Sequence, residues 1–138
     1  IIEMLRQRSR PYLFSNSLPP MIAGAGLELF KMLEESDERH SVLVENVEYF
    51  RDKMLEAGFD IKPTQSAICA VMLYDAPLSQ RFAQAMAREG VFVTGFYYPV
   101  VPAGQARIRV QISAAHTLHQ LDKAIDSFIK VGKELNVI

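Results

Sequence analysis

Arg107, Arg109 and Gln111 lie on alternate positions of Arg107-Ile108-Arg109-Val110-Gln111-Ile112, so a strand there points all three one way and Ile108, Val110 and Ile112 the other. A strand that buries its isoleucines can aim a guanidinium fork at a carboxylate or phosphate. The run before it, residues 95–106, has no charged side chain and holds Pro99, Pro102, Gly95 and Gly104, which gives the pair the layout of an anion-binding site. An Arg-x-Arg pair on a half-buried strand can equally be a solvated outer face, and the residues alone leave both readings open.

Other candidates weigh less. His116 sits between a strand and a helix cap, a place suited to orienting a loop, and no second ligand stands at metal spacing from it. His40 and His119 have polar neighbours on helices and are expected to be exposed. Phe96, Tyr97 and Tyr98 fit core or interface aromatics, and Ser15 and Asn16 fit plain turn residues. The sequence has no glycine-rich phosphate loop, no nucleophile elbow and no paired carboxylates at useful spacing.

The elements that must position these residues follow from pattern. Residues 1–8 read as the inside of a helix already under way, which suggests a piece of a longer chain. Pro11 is expected to end that helix and residues 12–18 to form an uncharged linker. Pro19 and Pro20 open a helix to Glu35, whose small stretch Ala23-Gly24-Ala25-Gly26 predicts a close-packed neighbour. Ser36 or Asp37 caps a helix with Leu43, Val47, Phe50 and Met54 on one face, stopped by Gly58.

Strands are predicted at 59–62 and 68–73, the second covered on both sides because it is almost continuously apolar. Asp75 or Ala76 starts a helix ended by Gly90, residues 91–93 form a short strand, and 107–112 form the last. Thr117 with Gln120 makes a capping box for a final helix in which Leu118, Leu121, Ile125, Phe128 and Leu135 line one face. The order predicts an α/β fold with helices packed on one main mixed or antiparallel sheet.

Composition bounds the function. The 138 residues are 49% apolar, enough for one core, and 15 basic against 16 acidic side chains argue against a nucleic-acid face. No apolar run approaches the roughly 18 residues of a membrane helix. The single cysteine, Cys69, lies in an apolar run and reads as a reduced core thiol of an intracellular protein.

Two segments carry a resemblance beyond these physical arguments. Residues 6–17, Arg-Gln-Arg-Ser-Arg-Pro-Tyr-Leu-Phe-Ser-Asn-Ser, and residues 95–117, with Tyr98-Pro99-Val100-Val101-Pro102 leading to Arg107-Ile108-Arg109 and Ala114-Ala115-His116-Thr117, resemble the α-oxoamine synthases. These are fold-type I pyridoxal-phosphate enzymes, and the pattern is most similar to the glycine C-acetyltransferase branch. The resemblance implies the C-terminal portion only, with residues 1–35 as the end of the large domain and a dimer-contact segment, and 36–138 as the small α/β domain.

It further implies that Ser15 and Asn16 reach the cofactor phosphate of the other subunit in a homodimer, and that Arg109 binds the substrate carboxylate. No role for Arg107 transfers. The Schiff-base lysine is expected upstream of Ile1, so no catalytic residue is expected in the chain, which alone would be inactive. The implied small molecules are glycine, acetyl-CoA or CoA, and 2-amino-3-ketobutyrate, in threonine breakdown. No nucleic acid, membrane or metal is expected, and the compartment is cytoplasmic, or the mitochondrial matrix in a eukaryote. The same domain of an 8-amino-7-oxononanoate or 5-aminolevulinate synthase, or a free-standing anion-binding domain, remains open.

Overall fold

A computed structural model describes residues 1–15 and 18–138, which divide into two compact units, Ile1–Asp37 and Glu38–Ile138. The first unit contains three helices: α1 (Ile2–Arg8), α2 (Arg10–Phe14) and α3 (Pro20–Glu35). Pro11 does not simply end a helix. Placed in the first turn, where its missing N–H has no acceptor to lose, it lets α2 extend over residues 12–14 of the expected linker. No residue of the three helices is buried, and Gly24 and Gly26 face open space, so the close neighbour expected at 23–26 is not met among the described residues.

The second unit runs α4 (Glu38–Glu56), β1 (Ile61–Lys62), β2 (Ile68–Tyr74), α5 (Ala76–Arg88), β3 (Thr94–Phe96), β4 (Ala106–Gln111) and α6 (Leu118–Glu134). The strands form one antiparallel sheet in the order β1-β2-β4-β3. Helices α4, α5 and α6 pack on one face of it and on one another. This is the α/β arrangement expected, with an antiparallel sheet throughout.

Alternation builds the core. Cys69, Val71 and Leu73 of β2 and Ile108 of β4 turn to the helices and are buried. Phe128 of α6 lies at their centre, with ring centroids 6.1 Å from Phe50, 6.0 Å from Phe59 and 5.6 Å from Phe82. The first two pairs are edge-to-face and the third is tilted at 36°, and aromatic pairs of this kind add about 0.5–1.5 kcal/mol each beyond the area they bury. Cys69 is a free thiol inside this core, its pKa pushed up by burial against an opposing pull from the Arg51 guanidinium.

Three sequence expectations change. The short strand is not 91–93 but Thr94–Phe96, paired Thr94↔Arg109, Gly95↔Ile108 and Phe96↔Arg107; Phe92 is 90% exposed. Leu118 is 57% exposed rather than part of the buried face, because it begins α6 before the helix reaches the sheet. Finally, β2 is covered throughout on its helix side, whereas on the other face Met72 is buried but Ile68 and Ala70 are half-buried.

The caps are those the sequence suggests. Asp75 accepts from the Leu78 amide at 2.6 Å, and Thr117 and Gln120 form a reciprocal capping box. Gly58 and Gly90 follow their helices at φ of +96° and +80°, the left-handed region that favours glycine.

Candidate functional site

The face of the sheet turned away from the helices carries the arginines. Ile68 and Ala70 of β2, Phe96 of β3, and Arg107 and Arg109 of β4 line a shallow cavity of about 310 Å³, walled on one side by Val100 and Val101 of the β3–β4 loop. The loop begins with a cis Tyr98-Pro99 peptide and turns back through Gly104 at φ +73°. Apolar walls beside two cations make a place where a small anion can be bound and oriented.

The two arginines have different surroundings. Arg107 is half-buried and tied to its own turn: Nε donates to the Gln105 carbonyl at 3.1 Å and Nη2 to Gln105 Oε1 at 3.5 Å. It braces the β3–β4 loop. Arg109 is exposed, makes no hydrogen bond or ion pair among the described residues, and lies over the Phe96 ring with 5.5 Å from Cζ to the centroid. Directly opposite it on β2 is Ala70, which leaves room for the long side chain. All five of its N–H donors are thus available to a ligand.

The loop that follows β4 is held from the helix layer. Asn46 of α4, only 5% exposed, donates from Nδ2 to the Ser113 carbonyl at 3.1 Å and to the His116 carbonyl at 3.0 Å. His116 Nδ1 accepts from the Ser113 amide at 3.2 Å, the loop-orienting role its position suggested. Asn46 was not singled out from the sequence, since one polar residue on a helix with many polar neighbours reads as solvated. No group of three or more metal-ligating side chains occurs among the described residues.

Ser15 belongs to the first unit, at the end of α2, where it is exposed and its Oγ donates to the Pro11 carbonyl. Asn16 lies outside the described residues. An exposed, neutral hydroxyl can turn its proton from a local carbonyl to a phosphate oxygen, so the donor chemistry of Ser15 fits a phosphate-bearing cofactor. The lysines with displaced pKa values are Lys53 and Lys130, and both are raised, first by the hydrogen bonds they donate to Glu56 and Glu89. An amine that must lose its proton near neutral pH needs the opposite shift.

Residues 1–128 match the model of the family described as aminotransferase class I and II. Over all 138 residues the chain is 51% identical to a 2-amino-3-ketobutyrate coenzyme A ligase of Salmonella typhimurium, and 49% identical to an 8-amino-7-oxononanoate synthase of Thermosipho melanesiensis. It covers 35% of the length of each. Among solved structures it is similar to one described as SPT with a PLP internal aldimine, at TM-score 0.92 and 30% identity, covering 99% of this chain and 35% of that one. A match over that share of the sequence places the chain in the aminotransferase class I and II family.

Proposed function

We propose that the chain is the C-terminal part of a pyridoxal-phosphate-dependent acyltransferase that interconverts glycine plus acetyl-CoA with 2-amino-3-ketobutyrate plus CoA. In this reading residues 1–35 end the large domain and contribute to the dimer contact, and 36–138 are the small domain. The observation that carries it is Arg109, an exposed guanidinium with no hydrogen-bond partner among the described residues, in an apolar-walled cavity. The 51% identity to a 2-amino-3-ketobutyrate coenzyme A ligase supports the choice of substrates. The 49% identity to an 8-amino-7-oxononanoate synthase favours, as second reading, the same site serving a different amino acid and acyl donor.

When bound, the cofactor supplies an electron sink for the negative charge left on the substrate α-carbon. The residues of this chain bind and orient. Arg109 grips the substrate carboxylate with two parallel N–H···O bonds, which fixes rotation about the bond to the reacting carbon. Val100, Val101 and Ile68 give the cavity an apolar wall beside that ion pair. Ser15 and Asn16 donate to the cofactor phosphate of the partner subunit in a homodimer. The chain alone is inactive, because the lysine that carries the cofactor is supplied by the preceding part of the protein. The protein works in the cytoplasm, or in the mitochondrial matrix of a eukaryote.

Arg109→Lys in the full-length protein tests the assignment, since it keeps the charge and loses the fork. The expected result is about a tenfold or greater rise in the Michaelis constant for glycine, the loss of one charge-assisted hydrogen bond. The cofactor absorbance should be unaltered. An unchanged Michaelis constant for glycine would sink the assignment.

A further inference from the structure

We infer that Phe96 is the positioning residue that aims Arg109, an inference that rests on the carboxylate-clamp reading of Arg109. A guanidinium on an exposed strand position has many rotamers, and one that must meet a carboxylate in a single orientation has to be restrained. Arg107 shows one way to restrain it: two bonds to Gln105 hold the side chain, and they use donors a ligand would need. A neighbouring carboxylate would be worse, since it would occupy the same fork and cancel the charge. Arg109 has neither. Among the described residues its partner is the ring of Phe96, 5.5 Å from Cζ to the centroid.

An aromatic face suits this task for a specific reason. It attracts the cation through the negative charge of its π face, so the guanidinium is held by its plane while its N–H groups stay free at the edge. Register makes the contact: Phe96 pairs with Arg107, and Arg109 lies two residues along β4 on the same face, the diagonal neighbour that an aromatic side chain can reach. The residues directly opposite Arg109 are small, Ala70 on β2 and Thr94 on β3, and neither bonds to it among the described residues, which leaves the ring as the contact that sets its direction.

Phe96 is itself held in place. A Cβ at the adjacent Gly95 would stand 2.9 Å from the Ser79 carbonyl oxygen, so β3 is pressed directly against the first turns of α5. Ser79 is fully buried and its hydroxyl donates to the Ala76 carbonyl at 2.8 Å. The helix thus fixes the strand, the strand fixes the ring, and the ring orients the guanidinium.

The test compares Phe96→Leu, which keeps apolar bulk and removes the ring face, with Phe96→Tyr, which keeps the face, in the full-length protein. Glycine affinity is read by calorimetry, and kcat and KM for glycine and for the acyl-CoA are read separately. Phe96→Leu is expected to weaken glycine binding about three- to fivefold, the size of an exposed cation–π contact. Its kcat and its KM for the acyl-CoA should stay near wild type, and Phe96→Tyr should restore glycine affinity. In an Arg109→Ala background Phe96→Leu should have no further effect.

Two results overturn the inference while leaving the clamp standing: unaltered glycine affinity in Phe96→Leu when Arg109→Ala weakens it, or Phe96→Tyr as impaired as Phe96→Leu. Additive effects of Phe96→Leu and Arg109→Ala also overturn it. If Arg109→Ala leaves glycine affinity unchanged, the clamp assignment falls and the inference with it.

Discussion

Gly95 and Ser79 are in backbone contact: any side chain at Gly95 would place its first carbon 2.9 Å from the Ser79 carbonyl oxygen. Contact that close has no slack, because the opposing atom belongs to the backbone of a helix. Gly95→Ala is therefore expected to force β3 away from α5 and to destabilise the protein by about 1–3 kcal/mol, as overpacking does. Chemical denaturation would measure it. Stability within about 0.5 kcal/mol of wild type would mean that the strand can move without loss.

Asn46 satisfies two loop carbonyls with one amide, so its removal leaves both Ser113 and His116 without that partner. Asn46→Ala should cost about 1–3 kcal/mol, the loss of two hydrogen bonds worth about 0.5–1.5 kcal/mol each. Asn46→Asp should cost more at neutral pH, since it sets a carboxylate against two carbonyl oxygens at the same positions. If thermal melts of the two variants coincide, the amide donors are not what holds the loop.

Ala70 stands opposite Arg109 on the open face of the sheet. Ala70→Leu would fill part of the 310 Å³ cavity and displace the guanidinium, while adding little to the core on the other face. Glycine affinity in the full-length protein should fall several-fold while stability moves by less than about 1 kcal/mol. An equal loss of stability and affinity would instead indicate a general repacking of the sheet.

Alkaline pH should destabilise the second unit. Tyr49 and Tyr74 have pKa values raised first by hydrogen bonds to Asp122 and Asp60, and Cys69 has its own raised by burial. A folded-state value above the unfolded one means that the contribution is complete below the unfolded pKa and is lost as pH rises through the folded one. The melting temperature should therefore decline from about pH 9 upward, where free thiols and phenols ionise. Tyr49→Phe with Tyr74→Phe should begin lower and decline less steeply. A parallel decline in the double variant would assign the effect to other groups.

Much of this architecture is legible in the sequence because its signals are local. Asp75 and Thr117 cap helices through groups three residues away, and Gly58 and Gly90 end them through their own backbone freedom. Alternation in 107–112 separates the arginines from the isoleucines before any partner strand is known. The less legible features depend on what lies opposite. Val91-Phe92-Val93 has strand propensity equal to that of its neighbours, yet pairing begins only at Thr94, where β4 comes into register. Leu118 fits the apolar period of α6 but precedes the point at which the helix meets the sheet.

The same division holds at the site. The sequence by itself determined that Arg107 and Arg109 share a face and that an uncharged, proline-bearing loop leads into them, because strand periodicity is a property of neighbouring residues. Only the tertiary structure decided which arginine is free. Gln105 engages Arg107 through the turn, whereas the pairing of β3 with β4 brings Phe96 beneath Arg109 and leaves its donors open. Register, Gly95 against Ser79 and Asn46 against the 113–116 loop are all contacts between segments far apart in the chain, and such contacts exist only once the elements have packed.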